Sequence, residues 1–412
     1  MSRLEELIAE LCPDGVEYRT LSELFQTRNG YTPSKSNKEF WENGTVPWFR
    51  MEDIRENGHI LSTATQRVSR DAVKGKLFPA NSIIVATSAT IGEHALITVP
   101  SLANQRFTYL VLKTEYQHLF EIKFLYYYCF KLDQYCKECL NQGNFASVDM
   151  KKFAKFRFPV PPLPVQSEIV KILDNFAELT AELTAELTAR KKQYSEYLNI
   201  LIDKNRFSNP TMTKLGELFD FKNGLSKGKE FFGRGTPFVR YTDVYNKRVL
   251  HKEDISALVE CTPSELEKLK VTRGDVLFTR TSETTEDVGW SSVMLDDIGA
   301  CVFNGFTIRA KPKTDRLLPE YCAYCFSTNE FRQYVTSHCA FTTRASLTGN
   351  TIAEYSLAVP SITEQQEVVN ILDKLYLLCN SLTSGLPAEI EARQKQYEYY
   401  RDKLLTFKEL TA

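Results

Sequence analysis

The chain is short of several features, and each shortage removes a class of function. Only five histidines occur among 412 residues. They stand singly, which leaves general-base chemistry and histidine-ligated metals without their usual partners. No segment approaches the ~20 consecutive apolar residues that span a bilayer, so no membrane association is expected. Met1 to Glu10 carries acids and no apolar core, so a secretory leader is not expected and the expected compartment is the cytoplasm. No Gly-x-Gly-x-x-Gly follows a strand, and no Gly-x-x-x-x-Gly-Lys-Ser/Thr is present to cradle phosphate. There is no excess of positive charge either: 51 Lys and Arg stand against 52 Asp and Glu, a net charge of -1. By its sum alone this argues mildly against a nucleic-acid partner, because neutralising phosphates takes clustered cations.

What is present is ordinary for a soluble globular chain: 43% hydrophobic and 25% charged residues, with length for two or three domains. Ten cysteines at irregular spacings are expected to be reduced thiols rather than a disulfide framework. Cys136-x-x-Cys139 and Cys322-x-x-Cys325 could each supply two zinc thiolates. Both lie in stretches of helical periodicity with no further ligand near, so no metal is expected. The distribution of charge is more informative than its sum. From Lys222 to Arg248 there are seven basic residues (Lys222, Lys227, Lys229, Arg234, Arg240, Lys247, Arg248) against two acids, Glu230 and Asp243. A solvated basic loop and a phosphate-binding patch both fit this run.

Internal repetition fixes the architecture. Leu21-Ser-Glu-Leu-Phe25 with Asn29-Gly30 returns as Leu215-Gly-Glu-Leu-Phe219 with Asn223-Gly224. Gly44-Thr-Val-Pro-Trp-Phe-Arg50 with Asp53 returns as Gly235-Thr-Pro-Phe-Val-Arg240 with Asp243. The β-type run from Asn81 to Gly92 matches Gly274 to Ser282, which reaches Gly289 after a longer loop. Gln166-Ser-Glu-Ile-Val-Lys-Ile-Leu-Asp174 matches Gln365-Gln-Glu-Val-Val-Asn-Ile-Leu-Asp373, and Ala189-Arg-Lys-Lys-Gln-Tyr194 matches Ala392-Arg-Gln-Lys-Gln-Tyr397. The duplication covers nearly the whole chain, and the two Cys-x-x-Cys pairs do not superpose under it.

Each repeat thus runs from a β-rich globular part into a helix. Pro164 suits the opening turn of the first helix, and Thr363 with Gln366 has the spacing of a capping box for the second. Val165, Ile169, Ile172, Leu173, Phe176, Leu179, Leu183 and Leu187 form one apolar stripe. The expected partner of this stripe is the equivalent helix with Val369, Leu372, Leu375, Leu378 and Leu382, packed antiparallel. Packing of each helix on its own domain is the alternative. Gly385 and Pro387 predict a kink or restart in the second helix. Residues Ala177 to Ala189 read Ala-Glu-Leu-Thr three times over. As helix, each unit adds ~6 Å and turns the distal end by ~40°, the properties of a spacer.

These residues together resemble the specificity subunit of Type I restriction-modification systems (HsdS). The resemblance is carried by Asn29-Gly-Tyr-Thr-Pro33 with Phe40-Trp41 and Pro47-Trp48, by Pro161-Pro-Leu-Pro-Val-Gln166 opening a helix, by its duplicate around Gln365, and by the Ala-Glu-Leu-Thr repeats. It implies an α+β fold in which two pseudo-repeated target recognition domains, mixed and β-rich, are separated by two long helices packed as an antiparallel coiled-coil-like pair. The expected divisions are residues 1-160 for the first recognition domain, 161-207 for the first spacer helix, 208-360 for the second recognition domain and 361-412 for the second spacer helix. Each domain would read one half of a bipartite site in double-stranded DNA. The helices would set the gap and dock two methyltransferase subunits, through Ile169, Leu173, Leu179, Leu183, Leu187, Val369, Leu372 and Leu382, and restriction and translocase subunits would join through these. The role implied is host defence by DNA methylation and restriction.

The expected DNA contacts are Lys35, Arg50, Thr87, Ser88, Gln105 and Arg106 in the first domain. In the second they are Lys227, Lys229, Arg240, Arg280, Thr281, Ser282, Thr343 and Arg344. Arg, Asn and Gln pair with purine edges, while Ser, Thr and Lys hold phosphates. Matched positions such as Arg50 and Arg240 would equally serve to brace the fold. Between Asn29 and Trp48 and between Asn223 and Phe238 the two halves differ in length and polar content, so the two half-sites are expected to differ in sequence.

No catalytic constellation is found. The Asn-Pro-Pro-aromatic sequence of an adenine methyltransferase is missing, since Asn209-Pro210 is followed by Thr211. The nuclease-like stretch from Pro263 to Lys268 has no matching aspartates. No cofactor is expected on this chain, and S-adenosylmethionine, ATP and Mg are expected on partner subunits. Two readings from other classes stay open: a helical adaptor that does not read DNA, and the recognition subunit of a nuclease that cuts beside its site.

Overall fold

A computed structural model describes residues 3–141, 146–380 and 385–410. The chain forms two compact units, residues 1–182 with 390–412 and residues 183–389. The two have the same topology, which gives the sequence repeat its physical meaning. In the first, a five-stranded sheet runs Phe25–Asn29, Phe107–Leu112, Ser82–Ala86, His94–Ile97, Ile60–Leu61. In the second, the order is Phe219–Asn223, Thr307–Pro312, Val276–Thr279, Ser291–Met294, Val249–Leu250. Both sheets are antiparallel except for the last pair, which is parallel. The central strands Ser82–Ala86 and Val276–Thr279 are buried along their whole length, which explains their β-branched and apolar composition after Ser82.

A three-stranded sheet flanks each of these: Arg67–Val68, Val46–Phe49 and Leu102–Ala103 in the first unit, Leu258–Val259, Phe232–Val239 and Val302–Phe303 in the second. A two-strand ribbon then closes each domain and returns the chain to its start: Glu17–Thr20 with Arg157–Val160, and Thr211–Lys214 with Ser356–Val359. The repeats part company at their helices. Ile122–Glu138 is a single helix, whereas the second unit has Pro319–Cys325 and then Asn329–His338, restarted by the Thr328 cap.

Each ribbon feeds a long helix, and a buried glutamine fixes its direction. Gln166 Nε2 donates to the Leu119 and Pro161 carbonyls at 2.8 and 2.7 Å, while its Oε1 accepts the Glu121 N–H at 2.9 Å. Gln365 repeats the pattern with the Arg316 and Pro360 carbonyls (2.8 and 3.0 Å) and the Leu318 N–H (2.8 Å). Both side chains are fully buried. Two turns further along, Tyr127 donates to Asp174 at 2.6 Å, and Tyr324 donates to Asp373 in the second unit. The glutamine and aspartate of the repeated helix motif are therefore the two pins that hold each helix to its own domain.

The first helix spans Leu163–Ile202 with Pro164 in its opening turn. Val165, Ile169 and Leu173 are buried in the core of the first unit, and Leu198 and Leu201 in that of the second, together with Val369 and Leu372. Packing on each helix's own domain thus claims the early part of the stripe, because the pinned glutamine turns that face inward. Ile169, Leu173, Val369 and Leu372, expected as partner contacts, are interior residues. Leu179 is 46% exposed, Leu183 and Leu187 are half-buried, and Leu382 lies outside the described residues.

In the second unit the first helix runs against Ile362–Asn380: Tyr194 meets Tyr376 edge-on at 6.0 Å, and Cys379 lies within the fields of Arg190 and Lys191. Numbering rises along one helix as it falls along the other, so the pair is antiparallel. In the first unit Phe176 stacks on Tyr400 of Leu386–Leu404 at 5.7 Å. The helix cap lies two residues earlier than expected: Ser361 and Glu364 form the reciprocal pair, and Gln366, expected to cap with Thr363, donates to Asn370 at 3.2 Å instead. No helix among the described residues is long and apolar enough to cross a membrane.

Candidate nucleic-acid interface

The repeated Asn-Gly and Arg-x-x-Asp motifs meet at one place in each unit. A Cβ on Gly30 would lie 2.3 Å from the Ala103 and Asn104 carbonyl oxygens, and one on Gly224 would lie 2.1 Å from that of Asn304. Only glycine allows this approach. The approached segment is a turn: the Asn104 side chain accepts the Arg106 N–H at 3.0 Å, and Asn304 accepts the Phe306 N–H at 2.6 Å. Asn104 N–H donates to Phe49 and Asn304 N–H to Val239, each at 3.0 Å, just before Arg50 and Arg240. Asp53 is buried and accepts the N–H groups of Arg50 and Thr65, both at 2.7 Å, and Asp243 accepts that of Arg240 at 2.9 Å. The aspartates of the motif therefore brace a short helix, and the arginines stand at its mouth.

In the first unit this assembly walls a concavity of about 610 Å³ that gathers Lys35, Arg50, Gln105 and Arg106 with Lys38, Asn104, Thr32, Trp41 and Trp48. Four cations face two carboxylates, Glu42 and Glu52, so the lining carries net positive charge. Trp41 and Trp48 meet edge-to-face at 5.0 Å, and the Arg50 guanidinium lies 6.0 Å from the Trp48 ring. Arg50 Nε is buried with no hydrogen-bond partner among the described residues and lies 3.9 Å from Glu52. Thr87 is not part of this surface. It is buried, its hydroxyl 2.9 Å from that of Thr108, which donates to Asn29. Ser88 is half-buried and bridged to Ser147.

The equivalent concavity of the second unit, about 400 Å³, gathers Thr281, Ser282 and Arg344 with Tyr241, Tyr245, Glu283, Asp287 and Phe306. Met51 and Tyr241, each following its repeat's arginine, occupy matching places in the two linings. Tyr241 and Tyr245 stack at 6.0 Å, and Tyr245 donates to Asp287 at 2.8 Å. The Thr284 and Tyr245 hydroxyls hold the Asp287 carboxyl below its usual range. Thr343 is exposed on the turn beside Arg344, between Ala340–Phe341 and Ala345–Ser346. Arg280 lies under the Phe306 turn, its guanidinium 3.5 Å from the Gly305 carbonyl.

The basic run is mostly neutralised. Acids distant in sequence hold Lys227 (Glu265), Arg234 (Glu260) and Arg248 (Asp373), and nearby ones hold Arg240 (Asp243) and Lys247 (Asp254). Lys229 is exposed in a single helical turn. Glu265 of the nuclease-like stretch is a capping-box residue on Thr262. Burial pushes the Cys136 and Cys322 thiols up to about 12, which favours the thiol over the metal-binding thiolate. The sequence reading missed Tyr241, Tyr245 and Phe306. Phe306 was signalled by its place in the repeat, matched to Arg106.

A family model described as the Type I restriction modification DNA specificity domain matches the chain twice, over residues 13–190 and 208–392. The chain is similar to the specificity subunit of the Type I restriction enzyme EcoprrI of Escherichia coli, 54% identical over 239 residues that cover 54% of this chain and 58% of that protein. The aligned part thus spans less than two thirds of that relative's length. The EcoR124I/EcoR124II specificity subunit of Escherichia coli is 31% identical over 303 residues, covering 69% and 71%. A solved chain from work on complex assembly and conformational transition of the type I R-M system shares the fold, with a TM-score of 0.67 at 16% identity over 96% of this chain and 98% of that one.

Proposed function

Since the chain belongs to the Type I restriction-modification DNA specificity family, we propose that it is the subunit that gives such a complex its DNA sequence, each unit reading one half of a bipartite, asymmetric target. The observation that carries this reading is the pair of concavities at equivalent places in the two repeats, built on the same Asn-Gly and Arg-x-x-Asp frame but lined differently. A common frame with exchanged linings is what two readers of different half-sites require. Lys35, Arg50, Gln105 and Arg106 in the first unit, and Thr281, Ser282, Thr343 and Arg344 in the second, are the contacts favoured by placement. Lys227 and Arg240 are occupied by acids, and Thr87 is interior.

The helix carrying the Ala-Glu-Leu-Thr units sets the gap. Leu179, Leu183 and Leu187, which are exposed or half-buried, remain candidates for docking methyltransferase subunits, with restriction subunits joining through them. The chain itself is non-catalytic in this proposal: S-adenosylmethionine, ATP and Mg belong to its partners, and the complex works in the cytoplasm. The test is to co-express the chain with its methyltransferase partner and map modified adenines across the host genome by single-molecule sequencing. A split motif with two different halves is expected. A complex that forms but modifies no split motif would favour a helical adaptor that does not read DNA.

A further inference from the structure

The strand registers match the two turns residue by residue. Asn29 pairs with Thr108 and Asn223 with Ile308, so Arg106 and Phe306 each stand two places before the paired residue. Three bonds hold the backbone at each tip. The asparagine side chain accepts the tip N–H (3.0 and 2.6 Å), the asparagine N–H donates to the neighbouring sheet (3.0 Å in both), and the tip carbonyl accepts the N–H of Thr87 or Arg280 (3.0 and 2.8 Å). The tip side chains are left outside this clamp. Arg106 is exposed and has no ion-pair or hydrogen-bond partner for its guanidinium among the described residues. Phe306 is 57% exposed although it is a large apolar side chain. Each lines the concavity of its unit.

A backbone fixed identically twice, bearing a cation once and a phenyl ring once, separates presentation from chemistry. We propose that this tip is a base-reading position in both units, with Arg106 reading a guanine and Phe306 reading a thymine. The assignment rests on the DNA-reading function above. A guanidinium offers only donors, and guanine O6 and N7 are the paired acceptors on one major-groove edge. A phenyl ring offers no hydrogen bond, and the thymine C5-methyl is the apolar group that this groove presents. The clamp means that neither side chain has to wait for its backbone to be ordered on binding.

The test uses the complex of the full chain with its methyltransferase partner, carrying Arg106→Ala, Phe306→Ala or Phe306→Leu. Genome-wide modification mapping is paired with binding to the mapped site and its single-base variants. Arg106→Ala is expected to lower discrimination at one guanine of one half-site by about tenfold to a hundredfold and to leave the other positions intact. Phe306→Ala does the same at one thymine of the other half-site, and Phe306→Leu retains that preference in part. Replacing this thymine by uracil, which lacks the methyl, weakens binding of the wild-type complex and leaves the Phe306→Ala complex unchanged. An unaltered motif in both alanine variants, or a loss spread evenly over all sequences with uracil and thymine equivalent, overturns the assignment while the DNA-reading function stands. A wild-type complex that modifies no split motif overturns both.

Discussion

Replacing Gln365 by leucine keeps roughly the same volume and removes the amide that anchors the second helix motif. The side chain is fully buried and makes three hydrogen bonds, at 2.8, 2.8 and 3.0 Å. Leucine strands one backbone N–H and two carbonyls, and each stranded group costs about 1–3 kcal/mol. Taking the lower half of that range and allowing about 1 kcal/mol back for the added apolar burial leaves a net loss of about 3 kcal/mol. That is a large part of the ~5–15 kcal/mol that holds a domain together. The tryptophans make the measurement specific, because Trp290 lies in the second unit while Trp41 and Trp48 lie in the first. Urea unfolding followed by Trp290 fluorescence, with Trp41 and Trp48 changed to phenylalanine, reads the second unit alone. A fall in stability of less than about 1 kcal/mol would refute the view that this glutamine pins the helix.

Two further outcomes follow from the same geometry. Lys35 is exposed on the rim of the first concavity, so Lys35→Ala is expected to weaken DNA binding equally for all sequences and to reduce the salt-dependence slope by about one, measured by titration at several salt concentrations. A change of base preference would contradict a phosphate contact. Burial pushes the Cys136, Cys301 and Cys322 thiols from an ordinary value near 9 up to about 12. Each holds its proton more tightly when folded, so its contribution is complete below about pH 9 and is lost as pH climbs towards 12. Thiol labelling at pH 8 should therefore start at the partly exposed Cys261 and Cys339 and reach these three only on unfolding. Early labelling of Cys322 would contradict its burial.

Much of the fold was legible because the duplication is written in residues with strict geometric duties. Gly30 and Gly224 recur because a carbonyl passes where a Cβ would stand. Gln166 and Gln365 recur because they satisfy three backbone groups apiece. The candidate site was only partly legible. The Lys222 to Arg248 run read as basic because Glu265, Glu260 and Asp373, which neutralise its members, are distant in sequence and close only after folding. Thr87 read as a polar loop residue because its bond to Thr108 crosses between strands. Phe306 escaped notice because an exposed phenyl carries no polar mark, and its meaning came from the matched turn that presents it.

The spacer tests the central claim most directly. Deleting Ala181 to Thr184 removes one Ala-Glu-Leu-Thr unit from within the helix Leu163–Ile202 and shortens it by about 6 Å. Mapping modified adenines with this variant should return both half-site sequences unchanged and a gap shortened by about one or two base pairs. An unchanged gap, or altered half-sites at the original gap, would contradict the account.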